Sequence, residues 1–310
     1  MASLNVSCVP RNPELLWAQT RSGHRSYPLF TDGFDEKLKV RRCDYEFSKT
    51  LAGEDVSDNL MHYIESAGFK GVLQVAHQQV DHGLIKALVE RWRPETNTFH
   101  FPTGEATVTL EDVQVIWGLP VDGPVVSGTW FRDTSNIARW NMLCESALGF
   151  LPDDQGELIK GKLKNSSIVH EICQPFNEED EEACKKRART YIMGLFGTLL
   201  FSDSNTLDVS LNYLQNIEDL SREGRKSWGG AVVAYLYRCL SKASVAGRKG
   251  IDGPVALLQI WAWERMSNIA PIVSYEKDHE YKYREILAEK YILLKFYIYI
   301  YIYIYLTLHI

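Results

Sequence analysis

Residues 84–123 constrain the fold most strongly, because they contain the densest set of helix, strand and turn signals in the chain. Their first part predicts an amphipathic helix, since apolar residues recur at helical spacing along one face: Leu84, Ile85, Leu88, Val89 and Trp92. Asp81 is expected to cap the start of this helix, and Pro94 is expected to end it.

A short β-hairpin is predicted directly after this helix. Phe99 and Phe101 alternate with polar neighbours, and the Pro-Thr-Gly-Glu sequence of residues 102–105 is typical of a turn. Ala106 and Val108 then alternate on the returning strand. The pattern predicts two antiparallel strands.

A second helix is expected to begin at Thr109, whose hydroxyl can cap the free backbone N–H groups of the first turn. Glu111 and Asp112 lie in that turn, where they favour the positive end of the helix dipole. Gly118 suits the left-handed position after the helix, and Pro120 prevents the helix from continuing. The predicted unit is therefore helix, hairpin, helix and turn.

Amphipathic patterns elsewhere predict further helices near residues 57–67, 137–148, 178–199, 211–217, 227–240 and 254–266. The apolar run of residues 71–76 fits a short strand or a buried turn. No repeat of solenoid length is present. The expected fold class is mainly α, a multi-helix globular domain with one small β-hairpin, and the α+β class is the second choice.

The chain divides by pattern into five consecutive segments. They are an irregular N-terminal segment (1–55), a helix-hairpin-helix half (56–150), a connection (151–177), a helical half (178–270) and a tail (271–310).

The tail has an unusual composition, because Tyr and Ile alternate strictly over residues 297–305. A strand would place all these tyrosines on one face and would favour aggregation. Lys295 interrupts the run as a membrane span. Since a repeated TATATA tract encodes Tyr-Ile, we expect the tail to be non-native and the domain truncated. An edge strand and a membrane anchor are the alternatives.

Composition and charge narrow the classes of function. The 310 residues are 45% hydrophobic and 24% charged, as in globular proteins. The net charge of −6 lacks the basic excess that drives non-specific binding to nucleic acids, although a local basic patch stays open. Six scattered cysteines without CxxC spacing argue against a zinc ribbon, and we expect reduced thiols in an intracellular protein without a secretory signal.

Six segments of the sequence together match a known domain. The longest is LVERWRPETNTFHFPTGEATVTLEDV at residues 88–113. The others are HRS at 24–26, AGFKGVL at 67–73, GLPVDG at 118–123, SWGGAVVAYLYRCL at 227–240 and LLQIWAWERM at 257–266. Over roughly residues 10–270 the chain resembles the plant mobile domain of the MAINTENANCE OF MERISTEMS-like family, often labelled aminotransferase-like.

The resemblance implies a nuclear protein that acts in meristem maintenance and in silencing of transposable elements. It also implies a protein partner that resembles protein phosphatase 7, since some family members are fused or linked to such a phosphatase. Other members occur within transposons, so the alternative is a transposon-derived protein associated with nucleic acid or chromatin.

No catalytic constellation is legible in the sequence. The aminotransferase-like label implies a lysine that binds pyridoxal phosphate, but no lysine stands in a recognisable context for it. The GDxHG and GNHE runs of metallophosphatases do not occur, and nothing marks three acidic residues as a transposase triad. We therefore expect a protein that is not an enzyme and has no cofactor or metal.

Two clusters could support other functions. His77, Asp81 and His82 come nearest to a metal site, but His82 falls off the helical face that the other two share, so a helix cap beside two ordinary histidines is favoured. The Lys-Arg-Ala-Arg run at residues 186–189 fits a nuclear localisation signal, and a solvated helical turn is the favoured alternative.

The residues that we would test first as an interaction surface lie around the hairpin: Arg91, Trp92, Arg93, Glu105 and Asp112. The favoured alternative is that the charged members form local ion pairs. Five tryptophans in the family-like segments are expected in the core, and any exposed one would mark a groove for a partner: Trp92, Trp117, Trp228, Trp261 and Trp263.

Overall fold

The computed structural model describes residues 23–27, 37–40, 44–53, 56–75, 77, 79–101, 103–126, 135–152, 154–203, 207–266 and 269–270. The tail of residues 271–310 and residues 1–22 lie outside this described part.

The described chain is mainly helical. Its α-helices are α1 (Asp44–Gly53), α2 (Asp58–Ser66), the single turn α3 (Lys70–Leu73), α4 (His82–Arg91), α5 (Leu110–Trp117), α6 (Ile137–Leu148), α7 (Asn165–Ile172), α8 (Glu181–Leu195), α9 (Trp228–Ala243) and α10 (Val255–Arg265). A π-helical turn continues α8 over Phe196–Leu200, and 3₁₀-helices form at Gln155–Glu157 and Leu211–Asn216.

Eight short strands form three small sheets within the described residues. The strands are β1 (Lys39–Val40), β2 (Trp92–Arg93), β3 (Thr98–Phe101), β4 (Gly104–Ala106), β5 (Leu158–Ile159), β6 (Lys162–Lys164), β7 (Asp208–Ser210) and β8 (Gly250–Ile251). β2, β3 and β4 form one antiparallel sheet, and β5, β6 and β7 form another. β1 pairs with β8 in parallel.

One continuous hydrophobic core joins both halves of the chain, from Leu38 to Ala262. α8 packs against α2, α6 and α7, while α5 packs against α9 and α10. Two groups of aromatic rings fill the space between these helices. The first contains Phe69, Phe196, Phe201, Tyr213 and Trp228, and the second contains Trp92, Phe99, Tyr237 and Trp261.

The predicted helix-hairpin-helix unit is confirmed. Asp81 Oδ1 accepts a hydrogen bond of 3.0 Å from the backbone N–H of Leu84 at the start of α4. Thr109 and Asp112 form a reciprocal capping box at the start of α5, and Gly118 ends that helix with a φ of 67°. The mainly helical fold class is confirmed as well, with more β structure than the one predicted hairpin.

The structure differs from the predicted unit where α4 ends. The helix stops at Arg91, before Pro94, because Trp92 adopts an extended conformation with a ψ of 132°. Trp92 then pairs with Phe99 across β2 and β3, and their rings lie 4.9 Å apart. The hairpin is therefore part of a three-stranded sheet.

The segment of residues 151–177, which was expected to be a connection, contains β5, β6 and α7. Strands of two or three residues are too short to show an alternating pattern, and β6 also pairs with β7, which lies more than 40 residues later in the chain. Residues 70–73 form a helical turn rather than a strand, and the helix predicted at residues 211–217 is a 3₁₀-helix.

Candidate functional site

Trp92 lies in the core and not on the predicted interaction surface. Its side chain is fully buried, packs on the rings of Phe99 and Tyr237, and donates a hydrogen bond of 3.0 Å from Nε1 to Ser241 Oγ. The expectation of a core position holds for Trp92, Trp117, Trp228 and Trp261, whereas Trp263 is half-buried. The prediction that Trp92 lies on an exposed interaction surface is therefore wrong.

Asp112 is also buried, with only 6% of the residue exposed. Its carboxylate accepts hydrogen bonds from the backbone N–H and the hydroxyl of Thr109, both at 2.8 Å. The same carboxylate forms an ion pair with the guanidinium of Arg265, at the end of α10. Asp112 therefore joins the start of α5 to α10.

The other predicted surface residues make local contacts. Arg91 Nη1 donates to the carbonyl of Ala87 at 3.0 Å. Glu105 accepts from Thr98 Oγ1 at 2.7 Å, and its other oxygen lies 3.1 Å from His100 Nε2. Arg93 is half-buried beside them. These contacts fit the ion-pair alternative, and contact with a partner stays a prediction.

Residues 24–26, which we call the HRS seam, form a buried polar cluster. His24 Nδ1 lies 2.6 Å from Ser26 Oγ, and His24 Nε2 lies 3.0 Å from the carbonyl oxygen of Trp92. Ser26 Oγ donates to the carbonyl of Glu90 at 2.9 Å. The seam therefore binds the backbone groups that the end of α4 leaves without helical partners.

Arg25 connects the same seam to the end of α9. Its backbone N–H donates to the carbonyl of Ser244 at 2.7 Å, and its Nη1 donates to the carbonyl of Ala243 at 3.1 Å. A cation at a helix C-terminus is favoured by the helix dipole. The HRS seam thus holds the ends of α4 and α9 together.

The pKa of His24 is lowered to about 4, mainly by burial and also by the nearby charges of Arg25 and Arg93. The hydrogen bond to Trp92 and the charge of Glu95 oppose this shift. His24 is therefore neutral at pH 7. Although a Ser–His pair can serve as a nucleophile and its base, Ser26 is fully buried, so no substrate can reach its hydroxyl.

The basic run at residues 186–189 is not a free basic segment. Arg187 is buried, donates from Nη2 to the carbonyl of Gln174 at 3.0 Å and pairs with the Glu171 carboxylate. Arg189 donates to the carbonyls of Ile217 and Glu218. The expectation of a solvated helical turn is therefore wrong for Arg187, because its guanidinium joins α8 to the end of α7.

The histidine cluster is dispersed. His77 Nδ1 lies 3.1 Å from Asp44 Oδ2, while Asp81 caps α4. In the part of the chain that the structure describes, no three His, Cys, Asp or Glu side chains are grouped as a metal site would require.

A polar cleft, which we call the α2–α5 cleft, lies between α2, α3 and the turn after α5. Its volume is about 410 Å³. Charged and amide side chains line it, together with backbone at three glycines: Glu65, Lys70, Gln114, Asp122 and Arg225, and Gly68, Gly71 and Gly118. The AGFKGVL and GLPVDG segments form two of its walls, but nothing in the sequence indicated that Arg225 meets them.

The sequence model of the plant mobile domain matches residues 68–299. The chain belongs to the plant mobile domain family. The match extends past residue 270, so it includes residues 271–299 of the tail, and the origin of that tail stays a prediction. No solved structure matches the chain.

Three Arabidopsis thaliana proteins illustrate the relationship. The chain is 42% identical to "Serine/threonine-protein phosphatase 7 long form homolog" over 64% of this chain and 14% of that protein. It is 36% identical to "Protein MAINTENANCE OF MERISTEMS" over 72% and 45% of the two chains, and 32% identical to "Protein MAIN-LIKE 1" over 84% and 49%. The chain thus spans less than half the length of these relatives.

No helix in the part of the chain that the structure describes combines the length and the apolar character that crossing a bilayer requires.

Proposed function

We propose that this plant mobile domain protein is a non-enzymatic interaction domain. The observation that carries the proposal is that its buried reactive groups stabilise the fold. Ser26 and His24 bind backbone carbonyls, and burial raises the pKa values of the Cys144 and Cys239 thiols to about 12. Thiols with such pKa values stay protonated at neutral pH and are poor nucleophiles.

The proposed setting is the plant nucleus, in meristem maintenance and in silencing of transposable elements. The name of the relative "Protein MAINTENANCE OF MERISTEMS" supports the first role. The proposed partner is a protein that resembles phosphatase 7, and the support is the name of the relative "Serine/threonine-protein phosphatase 7 long form homolog", of which the matched region makes up 14%. A shared domain beside a large remainder is consistent with a module that connects proteins.

Affinity capture of the full chain from plant nuclei, followed by mass spectrometry, tests this function. We expect a phosphatase-7-like protein among the captured proteins, and its recovery should not fall when the sample is washed with moderate salt. Capture of nucleic acid and chromatin proteins alone, with strong salt dependence, would favour the nucleic-acid alternative. Hydrolysis of p-nitrophenyl phosphate by the purified chain would contradict the non-enzymatic part.

A further inference from the structure

The α2–α5 cleft contains an arginine whose orientation is fixed by the fold. Arg225 donates from Nε to the carbonyl of Ser66 at 2.5 Å and from Nη2 to the carbonyl of Glu65 at 2.7 Å. Among the described residues, its Nη1 has no hydrogen-bond partner. A guanidinium held in this way loses little side-chain freedom when it binds an anion.

A second cation in the cleft, Lys70, forms an exposed ion pair that can exchange. Lys70 Nζ lies 2.7 Å from the Glu65 carboxylate, and the two side chains are 42% and 49% exposed. Such solvated ion pairs contribute little to stability, so Lys70 can turn to another anion at small cost. The pKa of Glu65 is lowered first by its bond to Lys70 and further by the charges of Arg222 and His62.

The backbone of the cleft is closely fitted and therefore pre-formed. A Cβ atom on Gly71 would lie 2.3 Å from the carbonyl oxygen of Trp117, and one on Gly68 would lie 2.8 Å from the ring of Pro120. The φ angles of Gly68 and Gly118 are +91° and +67°, in the region that favours glycine. These glycines let α3 and the turn after α5 approach closely and fix the distance between the cleft walls.

We propose that the α2–α5 cleft binds a carboxylate side chain of an acidic segment in a partner protein, with Arg225 and Lys70 as the anion-binding groups. This rests on the proposed function, because it assigns the surface through which the interaction domain acts. The cleft volume of about 410 Å³ accommodates a few side chains and lies within the range of small-ligand pockets.

Gln114 offers a variant that tests the cleft without disturbing the fold. It is exposed on α5, lines the cleft, and its side chain makes no hydrogen bond within the described residues. Gln114→Glu places a negative charge beside the proposed carboxylate, and Gln114→Lys places a positive one there. Ser146→Glu, on the exposed face of α6, is a matched control for the change in net charge.

The experiment measures binding of a fluorescent hexaglutamate peptide to the full chain at about 0.1 M salt. We expect Gln114→Glu to weaken binding by about fivefold and Gln114→Lys to tighten it by a similar factor, as one added charge at contact distance produces in water. Ser146→Glu should change the affinity by less than about twofold, because Ser146 does not line the cleft and its exposed charge is screened by salt. Hexaglutamine should not compete.

Two outcomes would overturn the proposal. One is that hexaglutamate does not bind, or that it binds the natural chain and both Gln114 variants with the same affinity. The other is a single-stranded oligothymidylate that binds more tightly than hexaglutamate and responds to the Gln114 variants, which would make the cleft a nucleic-acid site.

The nuclear capture experiment separates this proposal from the function on which it rests. If the natural chain and Gln114→Glu recovered the partner equally, the proposed role of the cleft would be rejected, but the proposed interaction function would stand. If no partner were captured but hexaglutamate affinity still depended on the charge at position 114, the anion-binding cleft would stand and the proposed interaction function would be rejected.

Discussion

The HRS seam and the α2–α5 cleft are built from similar residue types but differ in solvent exposure. In the seam, Arg25 is 2% exposed and bonds to backbone carbonyls at the end of α9. In the cleft, the Lys70 side chain is 42% exposed, and its ammonium pairs with the solvated carboxylate of Glu65. Both come from segments that carry the family resemblance, yet one arginine stabilises the fold while the lysine remains available to bind an anion.

The difference shows that a shared motif does not by itself mark a binding surface. Three residues of the HRS motif hold two helix ends, where unpaired backbone carbonyls need donors. The predicted hairpin surface behaves like the seam, since Trp92 and Asp112 are buried. A binding role is better sought where charged groups are exposed and replaceable, as in the cleft.

The largest expected effect concerns the aromatic core beside the seam. Trp92→Ala should reduce the free energy of unfolding by about 4 kcal/mol, because it removes a buried indole and leaves a cavity. Met142→Ala, whose side chain is 66% exposed, should change it by less than about 0.5 kcal/mol. Denaturant unfolding followed by circular dichroism measures both variants, and similar losses would contradict the buried position of Trp92.

The seam should also make stability depend on pH. The folded pKa of His24, about 4, lies below its ordinary value of 6.5, so the unfolded chain binds the proton more tightly. Stability from this group is complete above pH 6.5 and decreases as the pH falls towards 4, by up to about 3 kcal/mol. His24→Gln should remove this part of the pH dependence, whereas His62→Gln, at an exposed site, should leave it unchanged. A His24→Gln curve as steep as that of the natural chain would argue against the assignment.

The next largest effect on stability is expected from a comparison of Arg25 in the seam with Lys70 in the cleft. Arg25→Ala should cost roughly 2 kcal/mol of unfolding free energy, because charged hydrogen bonds to buried carbonyls are lost. Lys70→Ala should cost less than about 0.5 kcal/mol, because its ion pair is solvated. Thermal and denaturant unfolding measure the loss in unfolding free energy for both variants. Equal losses would contradict the claim that Arg25 stabilises the fold and Lys70 does not.

The smallest effect concerns the hairpin surface. Asp112→Asn should cost about 1 kcal/mol, since the capping box weakens and the ion pair to Arg265 is lost. Arg265→Gln should cost less, about 0.5 kcal/mol, because the arginine side chain is 54% exposed. If either variant abolished partner capture without a loss of stability, Asp112 and Arg265 would belong to an interaction surface after all.

The sequence predicted the local parts of the fold well. Asp81, Thr109 and Gly118 act as caps in the structure because each bonds to a residue only three or four positions away in the chain. The hairpin itself was predicted, but its turn was placed too late, because Gly104 and Glu105 of the predicted turn pair with Phe101 and His100 in the sheet.

The features that the sequence did not predict depend on contacts between residues that are distant in the chain. The end of α4 is set by burial of Trp92 against Tyr237, and β1 pairs with β8 through contacts that no local pattern encodes. The cleft was missed because Arg225 meets Ser66 from 159 residues away. The buried role of Arg187 was missed because its partners lie on α7, outside its own helix.

The parallel pairing of β1 with β8 has a consequence for synthesis of the protein. Lys39 pairs with Gly250, so the N-terminal strand has no partner until more than 200 further residues have been translated. At about 5–20 residues per second, that interval lasts on the order of 10–40 seconds. Throughout it, the nascent chain carries an unpaired strand edge and an uncovered Leu38 and Val40, which is when a ribosome-associated chaperone would matter most.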